Sequence, residues 1–244
     1  MPTRTAIPEH KLPDASEPHE TAGNSVLRPI VFGGNDGLVS NLALVMGVAG
    51  AGPAPSIIVL AGVAGLLAGA FSMAVGEFIS VQSQRELLDY QVAFQRKQVR
   101  EAADQERAIL IRIYRERGFP ELETERIVEV IFEEPENAVR TMIFEEVGLD
   151  VRSIGSPLSA AIGSFLAFTL GAFIPLLPYL IWSGSMAFAL SLGVSLAALA
   201  LLGLGIGRMT RRPLGYTAIR QVLLGGIAAA VTYAVGTLIG VQAG

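Results

Sequence analysis

Five apolar runs constrain this chain more than anything else in it. They cover about Leu27–Ala51, Ser56–Ser80, Pro157–Leu177, Ile181–Ile206 and Gly215–Val241. Each is close to or beyond the roughly 20 apolar residues an α-helix needs to cross a bilayer. In lipid the backbone must satisfy its own hydrogen bonds, so such runs fold as helices. The pattern predicts an all-α integral membrane protein with five transmembrane helices. Only 16% of the 244 residues are charged and mean hydropathy is +0.51, which a soluble domain of this size does not reach.

The runs also set the organisation. Residues 1–24 are rich in Pro, Glu, Ser and Thr and are expected to form a disordered tail. Residues 25–80 carry the first two spans, 81–156 an inserted unit, and 157–244 the last three spans. No Pro or Gly interrupts Phe78 to Ala103, so the second span should continue as a helix beyond the membrane. Gly118, Pro120, Pro135 and Gly148 then divide the insert into helices near 105–117, 122–133 and 136–147. Ile109, Ile113, Ile127, Val130 and Ile131 recur at three- and four-residue spacing, as in the apolar faces of a small bundle. "PLLPYL" (Pro175–Leu180) is expected to end the third span. With the N-terminus in the cytoplasm, every Lys and Arg falls on the cytoplasmic side or at its boundary. The insert and the loop "RMTRRPL" (Arg208–Leu214) are then cytoplasmic, and the C-terminus is extracytoplasmic.

Composition removes several kinds of chemistry. There is no cysteine, and the two histidines, His10 and His19, lie in the tail. Any metal must be held by carboxylates, amides, carbonyls, hydroxyls or methionine sulfur. No nucleophile–base pair is available for an intramembrane enzyme. No basic stripe points to nucleic acid.

Only two acids fall inside the spans, Asp36 and Glu77. A charge at membrane depth costs several kcal/mol, so such residues usually face a water-filled path or a partner. Asp36 lies eight residues past Arg28, about 12 Å along a helix. Either the carboxylate holds a cation, or it carries a proton, or it sits protonated against a neighbouring helix. Gly33, Gly34, Gly37 and Gly47 surround it; close helix packing explains them alone. Asn35, Ser40 and Asn41 add oxygen donors within a turn or two. In the second span Met73 and Glu77 are four apart on one helix face. The two spans run antiparallel, so Met73 and Asp36 can share a depth. A carboxylate beside a thioether suits a borderline divalent transition metal better than Mg²⁺ or Ca²⁺.

The stretches "NDGLVSNLALVMGVAGA" (Asn35–Ala51), "AGAFSMAVGEFISVQSQRE" (Ala68–Glu86) and "GAFIPLLPYL" (Gly171–Leu180), in this order, resemble the vacuolar iron transporter family. The resemblance runs from about Leu27 to Val241. It implies a homodimer in the bilayer that moves Fe²⁺, and often Mn²⁺, out of the cytoplasm in exchange for protons. The path would lie between the subunits, lined by the first and second spans. By resemblance the pore aspartate falls on Asp36 and the pore methionine on Met73. No cofactor is implied; the metal is cargo. The chain departs from the better-studied eukaryotic pattern at Pro29 and Gly65, where acids are expected. Glu77 stands where those relatives have glycine, as is usual in the bacterial branch, which points to a bacterial plasma membrane. In the family the insert is a cytoplasmic metal-binding domain. Here Glu106, Met142 and Glu146 match its ligands, while Gln95, Gln98, Ile109 and Ile143 replace others. A weakened metal site or a bundle kept for dimer packing both fit. The competing reading for the whole chain is a membrane-anchored metal sensor or homeostasis protein that binds metal without moving it.

Overall fold

The computed structural model describes residues 21–148 and 155–243, all of them helix, turn or coil. Helices α1 (Thr21–Gly50), α2 (Pro55–Glu101), α6 (Pro157–Ile181), α7 (Gly184–Met209) and α8 (Leu214–Ala243) each contain a stretch long and apolar enough to cross a membrane. Three short helices separate α2 from α6: α3 (Ala103–Glu116), α4 (Glu121–Phe132) and α5 (Pro135–Met142). A π-helical turn, Ile143–Val147, extends α5 until Gly148 ends it with a φ of 68°. Most of the expected tail, residues 1–20, lies outside the described residues. Residues 21–24, expected at its end, are instead the first turn of α1.

Small residues fix how the long helices pack. A side chain on Gly33 would come within 2.9 Å of the Ser164 carbonyl oxygen, and one on Gly37 would enter the Phe168 backbone. Gly171 stands equally close to the backbone of Gly34. These pairs rise together along both chains, so α1 and α6 run parallel at backbone contact. Gly47 against Thr232 and Gly50 against Tyr233 give the same register for α1 and α8. Gly62 against Leu176 and Gly69 against Phe168 make α2 antiparallel to α6. The starts of α1, α6 and α8 therefore share one end of the bundle. Leu38, Leu42, Val45, Met46, Phe168 and Leu176 fill the centre. Outside them lies a belt of exposed Leu, Ile, Val and Phe, as a lipid-facing surface requires.

The third span ends within one residue of the "PLLPYL" stretch expected to end it, a turn beyond the Leu177 bound of the apolar run. α6 runs through Pro175 and Pro178 to Ile181, and α7 begins only at Gly184, with a φ of 65°. Neighbouring side chains support this stretch: Asn41 Nδ2 donates to the Ala172 carbonyl and the Ser191 hydroxyl to the Pro175 carbonyl, both at 2.6 Å. The carbonyls that Pro175 and Pro178 leave without a helical donor are those of Gly171 and Ile174, four residues back.

Beyond its apolar half, α2 continues unbroken and carries α3–α5. Leu88 and Val99 pack on Ala138, Val139 and Ile143, while Leu110, Val128 and Met142 form a second cluster. Ile127 and Val130, expected on the bundle's apolar face, are exposed; Thr124 and Val128 face inward instead. The three-to-four periodicity of α4 is as expected, but its phase differs.

Candidate functional site

The Asp36 side of α1 faces α2 across an open cavity of about 450 Å³. Asp36 and Ser40, four apart, line it from one helix; Met73 and Glu77, also four apart, line it from the other. Glycines hold the gap open. Gly65, Gly69 and Gly76 remove side chains from the α2 wall. Phe168 rests its ring where a Gly69 side chain would stand and closes the cavity toward α6. Asp36 makes no ion pair among the described residues. Its carboxylate is exposed to the cavity, while Met73 and Glu77 are half-buried.

Asn41 is the best-anchored polar group here, only 2% exposed. Its amide nitrogen is spent on the Ala172 carbonyl, and its Oδ1 is buried without a partner. An orphan amide oxygen costs about 1–3 kcal/mol unless something arrives to use it. Leu44 first excludes a side chain at Gly65, and one there would also lie 3.1 Å from that oxygen. The Ser40 hydroxyl donates to the Asp36 carbonyl at 2.6 Å, which leaves its lone pairs for the cavity.

One expected member is elsewhere. Asn35 lines a different cavity, on the α7–α8 flank of α1. Asn35 is turned about 100° from Asp36 around α1, and here that turn carries it to the α7–α8 side. Ser72, Phe32 and Phe168 line the Asp36 cavity and were not anticipated. The recurrence of Gly65, Gly69, Ser72 and Gly76 at three- and four-residue steps is the signal that finds the α2 wall.

In the insert, Gln95 Nε2 donates to the buried Glu106 carboxylate at 2.6 Å. Burial, and next the nearby Glu146 charge, push the Glu106 carboxyl above its ordinary range; the Gln95 bond offsets part of this. Glu146 is exposed, whereas Met142 is packed against Leu110 and Val128 with no exposed surface. The neighbouring Glu145 pairs with Arg117, and Arg96 grips Glu136 through two 2.9 Å bonds. Among the described residues no three acids or histidines gather as a metal cluster. Glu106 and Glu146 are thus brought near one another, but the sulfur is a core contact.

Comparison with known proteins gives this geometry a context. The model of the VIT family matches residues 27–237. The vacuolar iron transporter of Toxoplasma gondii is 28% identical over 93% of this chain and 78% of its own length. Vacuolar iron transporter 1 of Arabidopsis thaliana is 29% identical over 97% and 96%, and vacuolar iron transporter homolog 3 of the same plant 34% identical over 88% and 83%. The family match covers α2, α6, α7 and the insert, most of α1 and α8, and both walls of the Asp36 cavity: the chain belongs to the VIT family.

Proposed function

We propose that this chain transports divalent metal, Fe²⁺ and Mn²⁺, out of the cytoplasm in exchange for protons. The observation that carries this reading is the cavity in which Asp36, Ser40 and Asn41 of α1 face Met73 and Glu77 of α2. Oxygen donors with one thioether suit a borderline divalent ion. The names of its relatives support iron as cargo. In the proposed homodimer the two cavities meet at the two-fold axis, so that paired Asp36 carboxylates face each other. Like charges that close favour either a bound cation or a shared proton. Metal and proton then compete for one site, and that competition couples their flows. The insert is the cytoplasmic entry domain in this scheme, with the N-terminus cytoplasmic and the C-terminus outside. A bacterial plasma membrane remains the proposed location.

Liposomes reconstituted with the full chain test the reading by uptake of each metal. Uptake above that of empty liposomes is expected. Saturable binding without uptake would favour the membrane-anchored sensor instead. In the same assay Met73→Ala should lower Fe²⁺ uptake by about tenfold, the cost of one soft ligand, and Mn²⁺ uptake less. Equal losses for both metals would mean that the sulfur only packs.

Glu106 and Glu146 are proposed as a weak metal site in the insert. Because the Glu106 carboxyl holds its proton above the ordinary range, metal must displace that proton. Binding should therefore weaken as pH falls through this raised value, while an ordinary carboxylate would still be ionised. The double change Glu106→Gln, Glu146→Gln should remove this pH-dependent binding in titrations of the purified protein. It should lower uptake by less than about tenfold, since the Asp36 site is intact. Tight, pH-independent binding that survives the double change would refute the assignment.

A further inference from the structure

On the flank of α1 next to the one that faces α2, a second cavity of about 530 Å³ opens between α1, α7 and α8. Its walls are apolar: Val31, Phe32, Ile206 and Met209. Its mouth is cationic. Arg28 lines it directly, and Met209 and Thr210, which also line it, sit in the sequence between Arg208 and Arg211. Arg28, Arg208, Arg211 and Arg212 are exposed and make no ion pair among the described residues. Arg211 holds a φ of 52° in the turn after α7, a left-handed conformation uncommon outside glycine. Two amides serve the interior. Gln221 is 8% exposed, faces the cavity and makes no side-chain hydrogen bond among the described residues, and the Asn35 Oδ1 is buried without a partner.

We infer that this cavity binds one anionic phospholipid, with an acyl chain between the apolar walls and the phosphate against the arginines at the mouth. Charge complementarity selects the occupant. An apolar slot open to the bilayer flank admits a chain, and clustered arginines at the membrane boundary recognise anionic headgroups. A zwitterionic lipid gains only the first interaction, and free phosphate only the second. Gln221 supplies a donor for a glycerol or ester oxygen. Phe32 lines both this cavity and the one at Asp36. A seated lipid therefore packs against a side chain that is also a wall of the metal cavity. The lipid site itself does not depend on metal transport.

Native mass spectrometry of the full chain, titrated with phosphatidylglycerol, phosphatidylcholine and inorganic phosphate, tests the inference. One phosphatidylglycerol per chain should be retained, and phosphatidylcholine more weakly by about fivefold for each arginine engaged. Inorganic phosphate should not displace the lipid. Met209→Trp fills the slot from an exposed position and should abolish retention with every arginine present. Arg28→Gln should weaken it about fivefold, and Arg28→Lys should restore most of it. Equal retention of the two lipids would overturn the inference, as would retention unchanged in both Met209→Trp and Arg28→Gln. Displacement by inorganic phosphate would overturn it too, by showing a headgroup site without a chain.

Discussion

Asp36→Asn is expected to leave a folded protein that no longer moves metal. The amide keeps the shape of the carboxylate, and Asp36 makes no ion pair among the described residues that the change could break. What disappears is the charge that holds a divalent cation and the group that takes a proton. Ligand changes of this kind cost about 100-fold or more, since losing even a supporting group costs 10–100-fold. Both Fe²⁺ and Mn²⁺ uptake should fall to the level of empty liposomes, with elution and thermal unfolding like the parent. Uptake near the parent value in this variant would remove Asp36 from the mechanism. Asn41, Ser40 and Ser72 are neutral and do not replace a charge, and Glu77 is left as the cavity's one carboxylate where two stood.

The largest effect on stability is expected at Gly37. A Cβ there would occupy the backbone of Phe168, with the carbonyl carbon 2.9 Å away. No side-chain rotation relieves a clash between two main chains, so α1 and α6 would have to separate along the most extensive packing surface in the bundle. Over-packing costs about 1–3 kcal/mol where side chains can adjust, and Gly37→Ala should lie at or above the upper end. Gly193→Ala is the matched control. A Cβ there meets nothing within 4 Å, and alanine is the better helix former by roughly 1 kcal/mol. Thermal unfolding in detergent should show a large loss for Gly37→Ala and no loss for Gly193→Ala. Equal behaviour of the two would mean that the α1–α6 contact is not as close as the structure has it.

These two residues show how legible the site was. Asp36 stood out because a carboxylate in an apolar run has few uses. Gly37 could be read as a packing glycine, but not as the partner of Phe168, because nothing in the sequence pairs the first span with the third. The same limit explains Asn35. Its neighbour is in the cavity, and a list of nearby oxygen donors ignores the 100° turn between adjacent helical residues. Asn41 survives that test; its value lies in the Ala172 carbonyl, 131 residues away, which fixes the amide and leaves the oxygen free.

The fold was legible where the sequence carries its own punctuation. Gly118 and Gly148 adopt positive φ and end their helices as their composition suggests. The uninterrupted stretch after Phe78 does continue α2 outward. Pro175 and Pro178 do not stop the helix where they stand: α6 runs through both and ends at Ile181. Ile127 and Val130 misled because periodicity gives the spacing of an apolar face but not which way it turns; Thr124 and Val128 decide that by packing inward.

The central claim is that one site in this chain exchanges metal for protons. Simultaneous recording of luminal metal and luminal pH in liposomes carrying the full chain tests it most directly. The account predicts that Fe²⁺ entry raises the luminal pH, and that an acidic lumen speeds entry. It also predicts that Asp36→Asn abolishes both signals together. Metal entry with no change in luminal pH, and no response to a pH gradient, would contradict it.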